Sequence, residues 1–419
     1  MWTRFQPFKN DDDSINSWLA SILIFGTMVS STLLIPAVRP FVASLPDGTD
    51  GAMHAFMSVN MLGAIFGAPL VAIVADRTGA RRTIVLVCAI LDGLLLAACT
   101  LNIPVALILA LRTLQGAANV GGLSILLGSL KGSGDRAAQA RAMSVAGGAM
   151  MAAVAAGAPI GVAALQLGPT APLLIGAAIQ LMVAAVVGRL TLPARRSARL
   201  NPMSLLRTRP LLKLPTAWIA AERFTVGCFV VTFALYARRA HGLSDTEVGV
   251  LFSWFLIPFA LAMYPLGRLS AHLDRSVLVV SGTLVYAMAF LSLGAADPAG
   301  LPVLMCLCGL AAAAIYAPSL CFAATLAPPQ LRSTSMALVN AGGSLGMMLG
   351  TALAGIGSKL LLDAGWGPDE AYPAIFRGAA FVELLVLMAS SRGLRALSTE
   401  PATPRASILP EPLLESRHG

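Results

Sequence analysis

Along this chain, apolar runs of roughly 20 residues alternate with short clusters of charged residues, Pro and Gly, nearly from end to end. Each run is long enough to cross a hydrocarbon core about 30 Å thick as an α-helix. The pattern predicts twelve spans. Six fall at 17–38, 53–75, 83–101, 105–130, 138–167 and 171–192, and six more at 213–236, 247–269, 277–295, 301–326, 333–362 and 372–391. The polar positions between them predict a tail over 1–16, a six-helix bundle over 17–192 and a basic connector over 193–212. A second six-helix bundle over 213–391 and a tail over 392–419 complete the expected organisation. The first run is too long for the apolar core of a signal peptide and lacks a small-residue cleavage pattern, so it is expected to be a retained span.

Composition narrows the class. Of 419 residues, 57% are hydrophobic and 12% charged, about half the charged fraction of roughly 25% usual in soluble domains. The expected fold class is therefore an all-α polytopic membrane protein. If the spans alternate, Arg77, Arg81, Arg82, Lys131, Arg136, Arg195, Arg196, Arg199, Arg207, Arg209, Arg275, Arg332, Arg392 and Arg395 share one side, against mainly Arg39, Arg238 and Arg239 on the other. Short loops rich in Lys and Arg stay in the cytoplasm, which places both termini there. The same bias explains the net charge of +9 without any nucleic-acid partner. A preference for Arg over Lys and the lack of an Asn-x-Ser/Thr acceptor fit a bacterial inner (plasma) membrane. The six Cys (88, 99, 228, 306, 308 and 321) fall inside spans and read as small packing residues. No nucleophile–base pair or metal-ligand spacing occurs, so neither enzymatic activity nor a cofactor or metal is expected.

The second half repeats the first. "APLVAIVADRTGARR" (68–82) aligns with "MYPLGRLSAHLDRS" (263–276), setting Ala72 on Gly267 and Asp76 on Ala271 at an offset of 195 residues. The same offset sets Asp50 on Asp245 and "AGG" at 146–148 on "AGG" at 341–343. Matches at one spacing predict an internal duplication of six spans, two bundles related by a pseudo-twofold axis.

These motifs carry a resemblance. "DRTGARR" (Asp76, Arg77, Gly79, Arg81, Arg82) between spans two and three is similar to the loop signature of the major facilitator superfamily, with Ala72 in place of its leading Gly. "LRTLQGAANVGG" in span four is similar to the superfamily's Arg-x-x-Gln-Gly motif through Arg112, Gln115 and Gly116. "AGAPIGVAAL" in span five, with Gly157, Pro159 and Gly161, partly resembles the motif of drug–proton antiporters. The chain thus resembles a twelve-span superfamily transporter over essentially its whole length. The resemblance implies a secondary active carrier working by alternating access, with a small-molecule substrate, protons and the bilayer as its partners, acting as a monomer.

Charge inside so apolar a chain calls for a role. The Arg residues of 77–82 fix topology at the membrane boundary. Topology alone requires neither the Asp nor the Gly that permits a tight reversal. A carboxylate there can accept hydrogen bonds from a neighbouring helix N-terminus, where the dipole favours an anion. The resemblance implies that this neighbour is span eleven, near Ser333, and that Asp76, Arg77, Gly79, Arg81 and Arg82 form a conformational latch between the halves. Its repeat carries Ala271 instead of Asp, so a second latch is expected to be weak.

Within spans, ionisable residues are the default functional candidates. Arg112, Gln115, Gly116 and Asn119 share one face of span four, and Glu222, Thr225, Phe229, Thr232 and Tyr236 share one face of span seven. With Asn340 and Ser344 of span eleven, these residues are expected to line a substrate cavity near the midplane. Arg112 needs a counter-charge, either Glu222 across the halves or Asp92 in span three. Burial and a neighbouring guanidinium pull a carboxyl's protonation in opposite directions, which suits proton coupling by Arg112, Glu222 and Asp92. Asp92 also reads as a structural hydrogen-bonding group, and Arg377 and Glu383 in span twelve read as scaffold or interfacial residues. Glu222 beside aromatic residues reads as a site for an amphipathic cation, or else as the neutraliser of Arg223. Gly157 and Gly161 suit close helix packing. Proton-coupled export of small amphipathic or hydrophobic compounds is the function expected. Proton symport or facilitated uptake of a metabolite is the alternative mode, and a non-transporting membrane scaffold or sensor the alternative of another class.

Overall fold

The computed structural model describes residues 17–45, 47–48, 50–130, 136–190, 210–270, 272–327 and 329–399. Lys131, Arg195, Arg196, Arg199, Arg207, Arg209 and Ala271, invoked above for topology and for the second latch, lie outside the described residues. Within them the chain builds twelve long helices, because a backbone in hydrocarbon must satisfy its own polar groups. The first half holds α1 (Ser17–Thr32), α2 (Asp50–Thr78), α3 (Arg81–Ala98), α4 (Val105–Gly128), α5 (Arg136–Leu165) and α6 (Ala171–Val187). The second holds α7 (Lys213–Arg239), α8 (Asp245–Leu269), α9 (Arg275–Ser292), α10 (Leu301–Leu326), α11 (Arg332–Asp363) and α12 (Pro368–Thr399). Nine of these helices are long and apolar enough to span a membrane by length and composition, and α1 and α6 are shorter apolar helices. The large outward-facing apolar side chains, such as Phe66, Leu70, Leu261 and Met288, are exposed as lipid-facing positions would be.

The boundaries differ from the expected spans where local chemistry intervenes. The first span breaks after Thr32 rather than at 38: residues 33–37 turn, and a short helix, Val38–Ala43, follows. Pro36 and Pro40 supply the break, since Pro cannot donate to the helical ladder. α3 begins at Arg81 because Gly79 adopts φ 72°, a left-handed turn that glycine takes without steric cost. α8 begins with a capping box in which Ser244 accepts from Glu247 N and Glu247 Oε2 accepts from Ser244 N. α12 starts at Pro368 and runs on to Thr399, well past the apolar stretch.

Small residues set the packing inside each half. A side chain at Gly157 or Gly161 would strike Thr32 or Leu33, so α5 presses against α1. In the repeat, a side chain at Gly346 or Gly350 would strike the backbone of Ala220 or Phe224, so α11 presses against α7. These glycines of α5 and α11 therefore join helices of the same half, whereas Gly147 and Gly148 of α5 face Met263 and Ala260 of α8 across the halves. Between halves, α2 and α4 meet α11, and α5 meets α8 and α10.

Candidate functional site

Three polar assemblies interrupt the apolar packing. The first joins the halves at the end where Arg77, Arg81 and Arg82 lie. Asp76 is buried at the end of α2, and its Oδ1 accepts from Arg81 Nη2 at 2.7 Å and Nε at 3.2 Å. Its Oδ2 accepts from Thr334 N and Thr334 Oγ1, each at 2.8 Å. Thr334 lies in the first turn of α11, whose own preceding residue, Leu331, offers no capping side chain. Asp76 thus caps a helix of the other half, satisfying an amide that helix geometry leaves orphaned. Arg81 also reaches Gln330 O at 3.4 Å, Arg82 donates to Gly188 O, and Arg77 is exposed. Less than two turns further along α11, Asn340 Nδ2 donates to Ser124 Oγ at 3.0 Å, again across the halves. Gly128 meets the backbone of Ser333, and Gly267 meets Ser144, with no room for a side chain.

The second assembly lies inside the first half. Asp92 Oδ1 accepts from Gln115 Nε2 at 2.5 Å. Its Oδ2 accepts from Asn119 Nδ2 at 2.6 Å and Gln180 Nε2 at 2.5 Å. Gln115 Oε1 in turn accepts from Arg112 Nη1 at 2.6 Å and Asn60 Nδ2 at 2.5 Å. The Arg112 guanidinium lies 4.5 Å over the Phe56 ring. Gln180 also donates to Ser30 Oγ at 2.8 Å, and Asn119 to Thr27 O at 3.1 Å. A small cavity bounded by Thr27, Cys88, Asp92, Asn119 and Gln180 adjoins the carboxylate. Five helices, α1, α2, α3, α4 and α6, therefore converge on one acidic group.

The third assembly lies inside the second half. Glu222 Oε2 is 3.4 Å from Arg223 Nε, and Glu222 is fully buried. Arg223 lies 4.7 Å over the Tyr316 ring, and its Nη2 is 4.0 Å from Met151 Sδ of the first half. Thr225 Oγ1 donates to Glu383 Oε1 at 3.1 Å.

These positions correct several expectations. Of the two counter-charges expected for Arg112, Asp92 is joined to it through Gln115, while Glu222 pairs with its neighbour Arg223. Gln115, Asn119 and Thr225 are consumed in the interiors of their halves and do not line a space between them. Phe229 sits in a ring cluster with Phe233, Phe252, Phe255 and Phe290, and Tyr236 packs on Phe376 and His241. In span seven's neighbourhood the Arg223 guanidinium lies over the ring of Tyr316. Glu383 is a buried polar partner of Thr225. Asn340 bridges the halves, Ser344 is half-buried, and Pro159 faces outward.

A family model described as Major Facilitator Superfamily matches the chain twice, over residues 20–237 and 219–415. The chain belongs to that superfamily. Each match takes in one six-helix half, in keeping with the repeat at an offset of 195 residues. No curated protein matches the chain in sequence. Among solved structures, the human organic anion transporter MFSD10 (TETRAN) is similar in fold, with a TM-score of 0.71 and 18% identity. That likeness covers 89% of this chain and 98% of the other. This facilitator-superfamily protein is thus a multi-pass membrane transporter.

Its sequence concealed part of the site. Gln180, Thr27 and Ser30 complete the shell around Asp92, yet each reads as an isolated polar residue in an apolar helix. Gln180 carried a usable signal: it is the single amide within "APLLIGAAIQLMVAAVV", and a lone polar group in hydrocarbon must find a partner. Tyr316 and Met151 carried none, since each passes for core.

Proposed function

We propose that this protein is a proton-coupled secondary transporter of the inner membrane that moves small amphipathic or hydrophobic compounds by alternating access, its basic end in the cytoplasm. The observation that carries this reading is the Asp76–Thr334 contact. It is a compact, charge-assisted joint within the wider contact between the two halves, formed by hydrogen bonds that can break and re-form. Asp76, Arg77, Gly79, Arg81 and Arg82 then act as the latch that holds the outward-facing state, and Gly157 and Gly161 keep the first half rigid. Proton coupling is assigned to the Arg112–Gln115–Asp92 chain and to Glu222. A buried ion pair bridged by an amide responds to any change at either charge.

The partial likeness of span five to drug–proton antiporters supports export. The engagement of Glu222 by Arg223 favours symport as the second mode, because a carboxylate already holding a guanidinium does not trade its proton for an incoming cation. The experiment is collapse of an imposed pH gradient in proteoliposomes challenged with a panel of amphipathic compounds, comparing wild type, Asp76→Asn and Arg112→Ala. Asp76→Asn is expected to slow flux about tenfold, the rate equivalent of about 1.4 kcal/mol. Arg112→Ala is expected to abolish proton movement. Wild-type behaviour of both variants would overturn the reading.

A further inference from the structure

The two halves build the same brace with different charges. Glu222 and Thr225 of α7 stand 195 residues after Thr27 and Ser30 of α1. Tyr286 of α9 stands 194 residues after Asp92 of α3, the register in which Arg275 and Arg81 open those two helices. The partner contact is kept as well: Ser30 meets Gln180 of α6, and Thr225 meets Glu383 of α12. In the first half the charges balance, with one carboxyl (Asp92) and one guanidinium (Arg112) joined through Gln115. In the second half they do not. Glu222 and Glu383 are 0% and 2% exposed, Glu383 accepts from Thr225 one turn along α7 from Glu222, and among the described residues the guanidinium beside them is that of Arg223.

Among the described residues, Tyr286 on α9 and Tyr316 and Cys308 on α10 are the other titratable groups facing this cluster, and none of them brings positive charge at neutral pH. Neither oxygen of Glu222 nor the Tyr286 hydroxyl has a hydrogen-bond partner among the described residues. A second uncompensated carboxylate at this depth is strongly disfavoured by lost hydration, and a bound proton removes the charge that causes this. Arg223 itself is the outlet of the cluster. Its side chain is 20% exposed, and it lies between Tyr316 of its own half and Met151 of the other. A guanidinium fork flanked by a ring and a thioether matches a planar carboxylate or sulfonate carried on an apolar body.

We propose that the second half holds one resident proton on the Glu222–Glu383 pair, and that Arg223 docks an amphipathic organic anion whose arrival brings a second proton from water onto Glu222. The balance is simple. The anion takes over the guanidinium, Glu222 loses its counter-charge and accepts one proton, and the net charge of the cluster is unchanged. Anion and proton then occupy the same state together, which makes this half a co-transport site. That consequence rests on the proton-coupled transport reading above, whereas the proton count does not.

The test is infrared spectroscopy of the purified full-length protein, counting the carbonyl stretch of protonated carboxyls at neutral pH. Glu383→Gln is expected to lose one such band. Glu222→Gln is also expected to lose one, because the remaining carboxyl then pairs with Arg223. Arg223→Gln is expected to gain one. Three substitutions report one count, so failure of any single variant to fold leaves the others decisive. If both glutamate variants leave the band unchanged, the pair is fully ionised and the proposal falls. Added 1-naphthoate is expected to raise the wild-type band by one carboxyl, with no effect from 1-naphthylmethylamine or 1-naphthalenemethanol and none in Arg223→Gln. A response to the amine, or none to the anion, overturns the docking role. If pH-gradient flux is uncoupled while the infrared count holds, the transport reading fails alone; if flux stays coupled while the count fails, this inference fails alone.

Discussion

At Asp92, one carboxylate accepts three amide donors delivered by three side chains, from Gln115, Asn119 and Gln180. An amide in that position would set its own NH₂ against at least one of those donors. Asp92→Asn is therefore expected to destabilise the protein by about 1–3 kcal/mol, the cost of a buried polar group left unmatched. Thermal unfolding in detergent should show a clear fall in the midpoint, and an unchanged midpoint would mean that the network is slack. Gln180→Leu removes one donor from Asp92 while Ser30 keeps its own bond to Thr27 O, so a smaller fall in the same direction is expected. This scale was only partly legible. Arg112, Gln115 and Asn119 announced themselves by sharing one helical face. Which carboxyl they serve depended on which way α3 and α7 turn within their halves, and one-dimensional spacing carries no such information. Glu222 and Arg112 look like natural partners in sequence because both are charged and both lie on central spans. The packing of α7 against α11 and α12 turns Glu222 away.

The helices themselves were plain in the apolar pattern, since a backbone in lipid has almost no alternative. Their ends were less so, because Pro36, Gly79 and the Ser244–Glu247 box act over a few residues rather than over a whole run. The turn at Gly79 and the cap at Thr334 belong together: the first aims Arg81 at Asp76, and the second uses the remaining carboxylate oxygen. Gly79→Ala places a Cβ at φ 72°, which costs about 1 kcal/mol. It should loosen the joint without removing any of its groups. Reactivity of a Cys introduced at Ser333 toward a membrane-impermeant maleimide should rise several-fold in that variant, with the native cysteines replaced. Equal reactivity in both backgrounds would show that the turn does not set the joint. Gly350→Leu tests packing of a different kind, because its side chain would meet the Phe224 backbone. Backbone cannot yield as a side chain can, so α7 and α11 must separate. A loss of about 1–3 kcal/mol is expected, read as a lowered unfolding midpoint, with the Asp76 contact left chemically intact.

Over the whole molecule, the contacts that join the halves gather toward one end. Asp76 with Thr334, Arg81 with Gln330, Asn340 with Ser124, and the close approaches at Gly128 and Gly267 all lie near the basic loops. Were the halves to move as rigid bodies fastened at one end, their one easy motion would be rotation about that end until the fastening broke. The duplication in the sequence foretold the two bodies, and the DRTGARR loop foretold a joint. Neither foretold how far into the bundle the joint extends. That depth is set by small residues on α4, α5, α8 and α11, and such residues pass for ordinary packing until their neighbours are known. If transport requires this end to open, a covalent tie in place of the Asn340–Ser124 hydrogen bond must stop it. Ser124→Cys with Asn340→Cys, in a background lacking the native cysteines, provides that tie on oxidation. The expected outcome is transport arrested by oxidation and restored by a reductant, while each single variant transports under both conditions. Unaltered flux through the cross-linked pair would show that this end stays closed throughout the cycle, and the alternating motion would then have to be sought within the halves instead of between them.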